Sequence, residues 1–128
     1  MVHIVMTETE VLARLKIGEL AAAIAVEQWS KVRDLVLDLG IKTGKQLDSL
    51  IFQNEIILWC SLCEKYYECC TCVYTEVDNG CNCRDSDSAY NKVMQAKNQE
   101  DLLQAIDCLI ETLKKAAEKE REKLEVTL

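Results

Sequence analysis

The segment CSLCEKYYECCTCVYTEVDNGCNC, residues 60–83, is the centre around which this chain is organised. It contains seven of the eight cysteines, whereas the sequence on either side has the composition of ordinary helices. Such a short, polar segment cannot fold on hydrophobic burial alone, so its thiols are expected to act as metal ligands or cross-links. We favour zinc bound by thiolates, because in a reducing compartment a dense cysteine cluster is more often a metal site than a disulfide framework. Disulfides and an iron–sulfur site are the alternatives.

The cysteines fall into pairs whose spacing suits zinc. Cys-x-x-Cys and Cys-x-Cys spacings let two sulfurs reach one ion from a single backbone turn. The predicted metal ligands are Cys60, Cys63, Cys69, Cys70, Cys72, Cys81 and Cys83. The simplest tetrahedral site uses the first pair and the last pair. Two ions that share bridging sulfurs would use six or seven thiols, so one or two zinc ions are expected.

Part of this spacing resembles a known class of zinc site. The pattern Cys-x2-Cys-x6-Cys formed by Cys60, Cys63 and Cys70 resembles the first half of the fungal binuclear zinc clusters. The likeness ends there, because the second half reads Cys-x-Cys and because residues such as Glu64 and Tyr67 stand where that family has basic residues. We therefore do not transfer the DNA-binding function of that family.

The ligand type and the missing motifs favour a structural zinc site over a catalytic one. An all-thiolate site is electron-rich and activates water poorly. The single histidine, His3, lies in a terminus expected to be disordered, and the sequence has no nucleophile elbow, phosphate loop or dinucleotide fingerprint. Cys108, between Ile106 and Leu109, is predicted to be a small core residue. The chain is therefore expected to be non-enzymatic.

Composition limits the class of partner. The 128 residues suffice for one domain, so residues 1–128 are predicted to form a single helical domain with a metal-binding insert at 60–83. A formal net charge of −7 opposes binding to nucleic acid and to anionic membranes. A local group of basic residues nevertheless keeps a zinc-dependent nucleic-acid-binding transcriptional regulator as an alternative function. Its members are Lys31, Arg33, Lys42 and Lys45.

The first residues carry neither a basic start nor a long apolar stretch, and no other segment is long and apolar enough to span a membrane. We therefore expect a cytoplasmic, intracellular protein with no membrane partner.

The sequence predicts a mainly α fold, a small helical bundle with a zinc-binding loop or short hairpin between helices 2 and 3. The first helix begins after Thr7, which can form a capping box with Glu10, and ends near Gly40. Its apolar positions are Val11, Leu15, Ala22, Val26, Trp29, Val32, Val36 and Leu39. The second helix is predicted from about residue 45 to about residue 63. Asn54 falls on its apolar stripe, where it would either face solvent or fix the register of an interface.

The second half of the chain is predicted to return to helix after the cysteines. Alternating residues from Cys72 to Val77, followed by Asp78-Asn79-Gly80, predict a hairpin. A short helix over residues 89–97, capped by Asp87 or Ser88, then leads to a last helix over about residues 99–126. The packing residues of that last helix are Leu102, Leu103, Ile106, Leu109, Ile110 and Leu113.

The leading functional hypothesis is that zinc bound in the loop holds two helices together and that the loop presents a surface to another protein. The apolar faces of the first and last helices are predicted to form a homodimer. Beyond Lys114 the last helix is almost wholly charged, so that end is expected to be a solvated, fraying helix or a dimer arm. Such a chain would act as an adaptor, a regulator or a phage- or virus-type antagonist of a host factor. A thiol-based redox or metal sensor, using the adjacent Cys69 and Cys70, is a further alternative.

Overall fold

The computed structural model describes residues 2–66, 73–78 and 87–127. Over these residues the elements are β1 (His3–Met6), α1 (Glu8–Lys16), α2 (Ala21–Leu39), α3 (Gly44–Phe52), β2 (Ile56–Leu58), α4 (Ser61–Lys65), α5 (Val73–Val77), α6 (Ala89–Met94) and α7 (Gln99–Thr127). This part of the chain is mainly helical, which confirms the prediction of a mainly α fold.

The core lies between the two long helices, α2 and α7, which pack against each other. Residues at three- and four-residue steps on α2 are buried. On α7 the predicted packing residues are buried too, except that Leu103 is half-buried. Small residues of α2, such as Ala22 and Ala25, allow α7 of the same chain to approach closely. The apolar faces predicted to form a homodimer are therefore covered within the monomer, and that part of the dimer prediction is wrong.

The predicted first helix is two helices. Thr7 caps α1 as expected, since its hydroxyl accepts the Glu10 N–H at 3.2 Å. The chain then breaks before α2 because Gly18 adopts a φ of +94°, a conformation that suits glycine alone. The predicted end at Gly40 is confirmed by its left-handed φ of +65°.

The predicted second helix stops early, at Phe52. Asn54 takes a left-handed φ of 61° and is exposed, so the interpretation that it fixes an interface register is wrong. The apolar run that follows forms β2 instead, which pairs in parallel with β1 through His3↔Ile56 and Ile4↔Ile57. A short run of β-branched residues suits a strand as well as a helix, and here the turn at Asn54 decides in favour of the strand.

The first arm of the predicted hairpin is also wrong, because Val73–Val77 forms the short helix α5, which packs on α7. The remainder of that prediction, residues 79–83, lies outside the described residues. The predicted helix after the cysteines is confirmed as α6, with Ser88 as its cap accepting the Asn91 N–H at 3.1 Å.

The last helix extends to Thr127, as predicted, but its charged end is docked in part. Ala116 and Glu120 are buried, so the expectation of a wholly solvated or protruding arm is wrong. None of the described helices has both the length and the apolar content of a membrane span.

Candidate metal centre

Cys60 and Cys63 open the short helix α4, and the backbone brings their side chains together. Cys60 is the N-cap residue, in extended conformation, and its sulfur accepts the backbone N–H of Cys63 at 3.4 Å. An N-cap side chain ordinarily bonds the third residue of its helix, and the Cys-x-x-Cys spacing places the second thiol at that residue. Both cysteines are exposed and neither is in a disulfide. The predicted first pair therefore converges, although at the start of α4 and not at the end of a longer helix.

The inner side of α4 is fixed to the core. Ser61 and Leu62 are buried, and the Ser61 hydroxyl donates to the Ala21 carbonyl oxygen at 2.7 Å. Because these two residues lie between the thiols and face the core, anchoring them turns Cys60 and Cys63 outward. The sequence signal for this arrangement is the pair of small and apolar residues between the cysteines.

The backbone that leads into Cys60 is held by a buried amide. Gln28, in α2, is 1% exposed and donates from Nε2 to the Trp59 carbonyl oxygen at 2.6 Å. The Trp59 N–H donates in turn to the Met6 carbonyl oxygen at 3.1 Å, which extends the β1–β2 ladder by one residue. The Trp59 indole N–H donates to Glu64 at 2.9 Å across the outer side. The first cysteine pair is thus held from the strand pair and from α2.

The proximity of the two thiols affects their ionisation. Hydrogen bonding with the Cys63 thiol raises the pKa of the Cys60 thiol well above its ordinary range. A protonated thiol is a poor metal ligand, whereas a bound dication favours the thiolate. Metal binding at this pair would accordingly release protons and weaken as the pH falls.

A buried carboxylate of α7 accepts hydrogen bonds from residues at the other end of α4. Glu120 is 2% exposed, and its Oε2 accepts hydrogen bonds from Lys65 Nζ, at 3.1 Å, and from the Tyr66 hydroxyl. Its Oε1 accepts the Ala22 N–H at 3.0 Å. Sequence reasoning missed Glu120 because it lies among charged residues, and a single glutamate within such a run carries no pattern.

The segment between the cysteine groups is anchored as well. Tyr74 and Asp78, at the two ends of α5, are buried. The Asp78 Oδ2 accepts the Ala89 N–H at 2.8 Å, and the Tyr74 hydroxyl accepts the Tyr90 N–H at 3.1 Å. Residues 73–78, which follow Cys72, are thereby tied to the start of α6.

The remaining predicted ligands, Cys69, Cys70, Cys72, Cys81 and Cys83, lie outside the described residues. Among the residues that the structure does describe, no group of three or more histidine, cysteine or acidic side chains is arranged to hold a metal ion. The described pair would supply two of the four donors that a tetrahedral zinc site needs.

Two residues lie elsewhere than predicted. Cys108 is exposed, so its prediction as a core residue is wrong. It is two positions from both Ile106 and Ile110, and two positions turn a helix by about 200°, away from the buried stripe. His3 is not in a disordered terminus, because it belongs to β1 and its N–H donates to the Glu55 carbonyl oxygen at 2.8 Å.

The local basic residues are only partly available to a ligand. Arg33 Nε donates to Asp107 Oδ1 at 2.7 Å, and this ion pair raises the pKa of Arg33 further above its ordinary range. The neighbouring Lys31, Lys42 and Lys45 are exposed. Arg33, one of the four basic residues, is therefore paired with Asp107 of α7.

The chain matches no protein-family model, no curated protein and no solved structure at a significant level. A functional interpretation accordingly rests on the geometry of these residues.

Proposed function

We propose that this chain is a non-enzymatic zinc-binding protein that acts as a protein-interaction or regulatory module. The observation that supports this best is the arrangement of Cys60 and Cys63. Their side chains converge on the exposed side of α4, while the inner side of the same helix is held by the Ser61 hydrogen bond to α2. Two converging thiols on a fixed turn are half of a tetrahedral zinc site.

The other half of the site would come from the later cysteines. Cys81 and Cys83 complete the simplest four-thiolate site, and the three remaining thiols allow a second ion. The charge of the segment suits a dication, because residues 60–83 contain more acidic than basic side chains. The acidic residues are Glu64, Glu68, Glu76 and Asp78, against the single basic Lys65. Thiolate donors favour a structural ion over one that activates water.

A protein partner fits this chain better than a nucleic acid. The net charge of −7 repels phosphates, and the ion pair between Arg33 and Asp107 reduces the local positive charge further. We propose that the zinc-bearing segment, displayed between its anchors on α2 and α6, forms the contact surface. An adaptor and an antagonist of a host factor both fit this description. A homodimer would have to use a surface other than the α2 and α7 faces that cover each other.

Native mass spectrometry with and without a chelator tests the proposal. The purified chain should carry one or two zinc ions, lose them to the chelator and regain them when zinc is restored. The same spectra give the oligomeric state. A metal-free chain whose mass shows disulfides, or a chain that carries iron, would refute the zinc-binding function.

A further inference from the structure

Glu120 is a buried carboxylate in a stretch of α7 whose neighbouring residues are exposed. It continues the buried stripe after Leu113 and Ala116 at helical spacing, where packing alone would place an apolar side chain. Burying a carboxylate is costly unless donors satisfy its oxygens. In this structure the donors come from two other elements, so Glu120 joins three parts of the fold.

The first of these parts is the start of α2. The residue before this helix, Leu20, has no side chain that can cap it, and the first turn of a helix leaves backbone N–H groups without partners. Glu120 Oε1 accepts one of them, the Ala22 N–H, at 3.0 Å. The negative charge also suits the positive end of the helix dipole.

The second part is the end of α4. Lys65 and Tyr66 follow Cys63 almost directly and both donate to Glu120 Oε2. Within the described residues, α4 packs chiefly on α1 and α2, so these bonds form its main connection to α7. The Glu120 carboxylate therefore bonds both to the end of α4, the helix that carries Cys63, and to the start of α2, and holds the end of α7 against them.

We propose that Glu120 couples zinc binding at the cysteine segment to the docking of residues 116–120 of α7 against α2. This inference rests on the proposed zinc-binding function. Zinc bound through Cys60 and Cys63 would restrain the outer side of α4, in addition to the Ser61 hydrogen bond on its inner side, and would hold Lys65 and Tyr66 in place for the carboxylate. Without zinc, α4 keeps the Ser61 bond to α2 but lacks the restraint at its two thiols, so the bonds from Lys65 and Tyr66 to Glu120 break more often. Because coupling is reciprocal, docking of α7 strengthens zinc binding by the factor by which zinc strengthens docking.

The coupling is tested on the full chain by hydrogen-exchange mass spectrometry with and without zinc, together with zinc affinity measured by competition with a chromophoric chelator. The variant is Glu120→Gln, and the matched control is Glu118→Gln, an exposed glutamate on the same helix. In the wild type and the control, zinc should slow exchange in residues 116–120 about tenfold. In Glu120→Gln this slowing should vanish, and zinc affinity should fall about tenfold.

Tyr66→Phe removes one of the three donors and should give a smaller effect in the same direction, which keeps the test valid if Glu120→Gln does not fold. Bound zinc with unchanged exchange in the wild type, or slowing retained in Glu120→Gln, would overturn the coupling alone. A wild type that binds no zinc would refute the proposed function and this inference together.

Discussion

The substitution Gln28→Leu tests whether the buried amide of α2 holds the backbone that leads into Cys60. Leucine is close to glutamine in size, so the change removes polar atoms without opening a large cavity. The amide Nε2 bonds the Trp59 carbonyl oxygen at 2.6 Å, and the amide oxygen accepts the Ser61 hydroxyl at the longer distance of 3.5 Å. The perturbation therefore acts mainly on one carbonyl group.

The size of the effect follows from what each partner loses. A carbonyl left without its donor costs about 1 to 3 kcal/mol, whereas burying the added apolar surface of leucine returns about 1 kcal/mol. The Ser61 hydroxyl keeps its stronger bond to the Ala21 carbonyl oxygen at 2.7 Å, so no second polar group is left unpaired. The expected net loss in the free energy of unfolding is about 1 kcal/mol, the middle of a range of about 0 to 2 kcal/mol.

Urea unfolding of the chelator-treated protein, followed by circular dichroism, measures this loss. The control is Gln104→Leu at an exposed position of α7, which should stay within about 0.5 kcal/mol of the wild type. A Gln28→Leu variant as stable as the wild type would refute the reasoning, because the Trp59 carbonyl would then not depend on this amide.

Four further predictions concern two glycines, one ion pair and the thiols. Gly44→Ala should lower the free energy of unfolding by about 2 kcal/mol or more, because its new methyl carbon would lie 2.1 Å from a backbone oxygen of α6. At Gly18 a methyl group would meet open space, but the φ of +94° disfavours alanine, so Gly18→Ala should lower the free energy of unfolding by only about 1 kcal/mol. Thermal melts that show equal losses for the two glycine variants would contradict the predicted clash at Gly44. Arg14 forms an ion pair with Glu19, with 2.7 Å between Arg14 Nη2 and Glu19 Oε1. The hydrogen bonds from Arg14 lower the pKa of Glu19, so the stability that Glu19 adds over Glu19→Gln should be present at neutral pH. It should be lost as the pH falls through that lowered pKa, and a difference in melting temperature that persists in acid would argue against the ion pair. Cys63→Ser should reduce bound zinc and melting temperature more than Cys108→Ser, because a lost ligand removes binding energy; equal losses would show that the cysteine segment does not stabilise the fold.

The features that follow a local rule could be predicted from the sequence. Helix-end chemistry predicts ends at Thr7 and Gly40, and the structure has both; for the short helix it leaves Asp87 or Ser88 as the cap, and the structure has Ser88. The buried stripe of α7 followed from its helical period in the same way. These signals are local, so tertiary contacts did not alter them.

The errors arose where a local pattern allowed two structures. Ile56–Leu58 fits either a helix or a strand, and the choice depends on the left-handed turn at Asn54 and on pairing with β1, more than fifty residues earlier. Val73–Val77 alternates like a strand, yet packing on α7 makes it a helix. The short-range pattern contains neither of these distant contacts.

At the candidate site, the sequence predicted the convergence of Cys60 and Cys63 but not the groups that hold them in place. Gln28 and Glu120 are polar residues at positions that the helical period would assign to apolar ones. Their partners are backbone and side-chain groups from distant segments, so their roles become visible only when the chain is folded.

The most direct test of the central claim is X-ray absorption at the zinc edge of the purified protein. An all-thiolate site predicts a single shell of sulfur neighbours at about 2.3 Å from the zinc. A shell of nitrogen or oxygen neighbours at about 2.0 to 2.2 Å, or a protein without zinc, would contradict the claim.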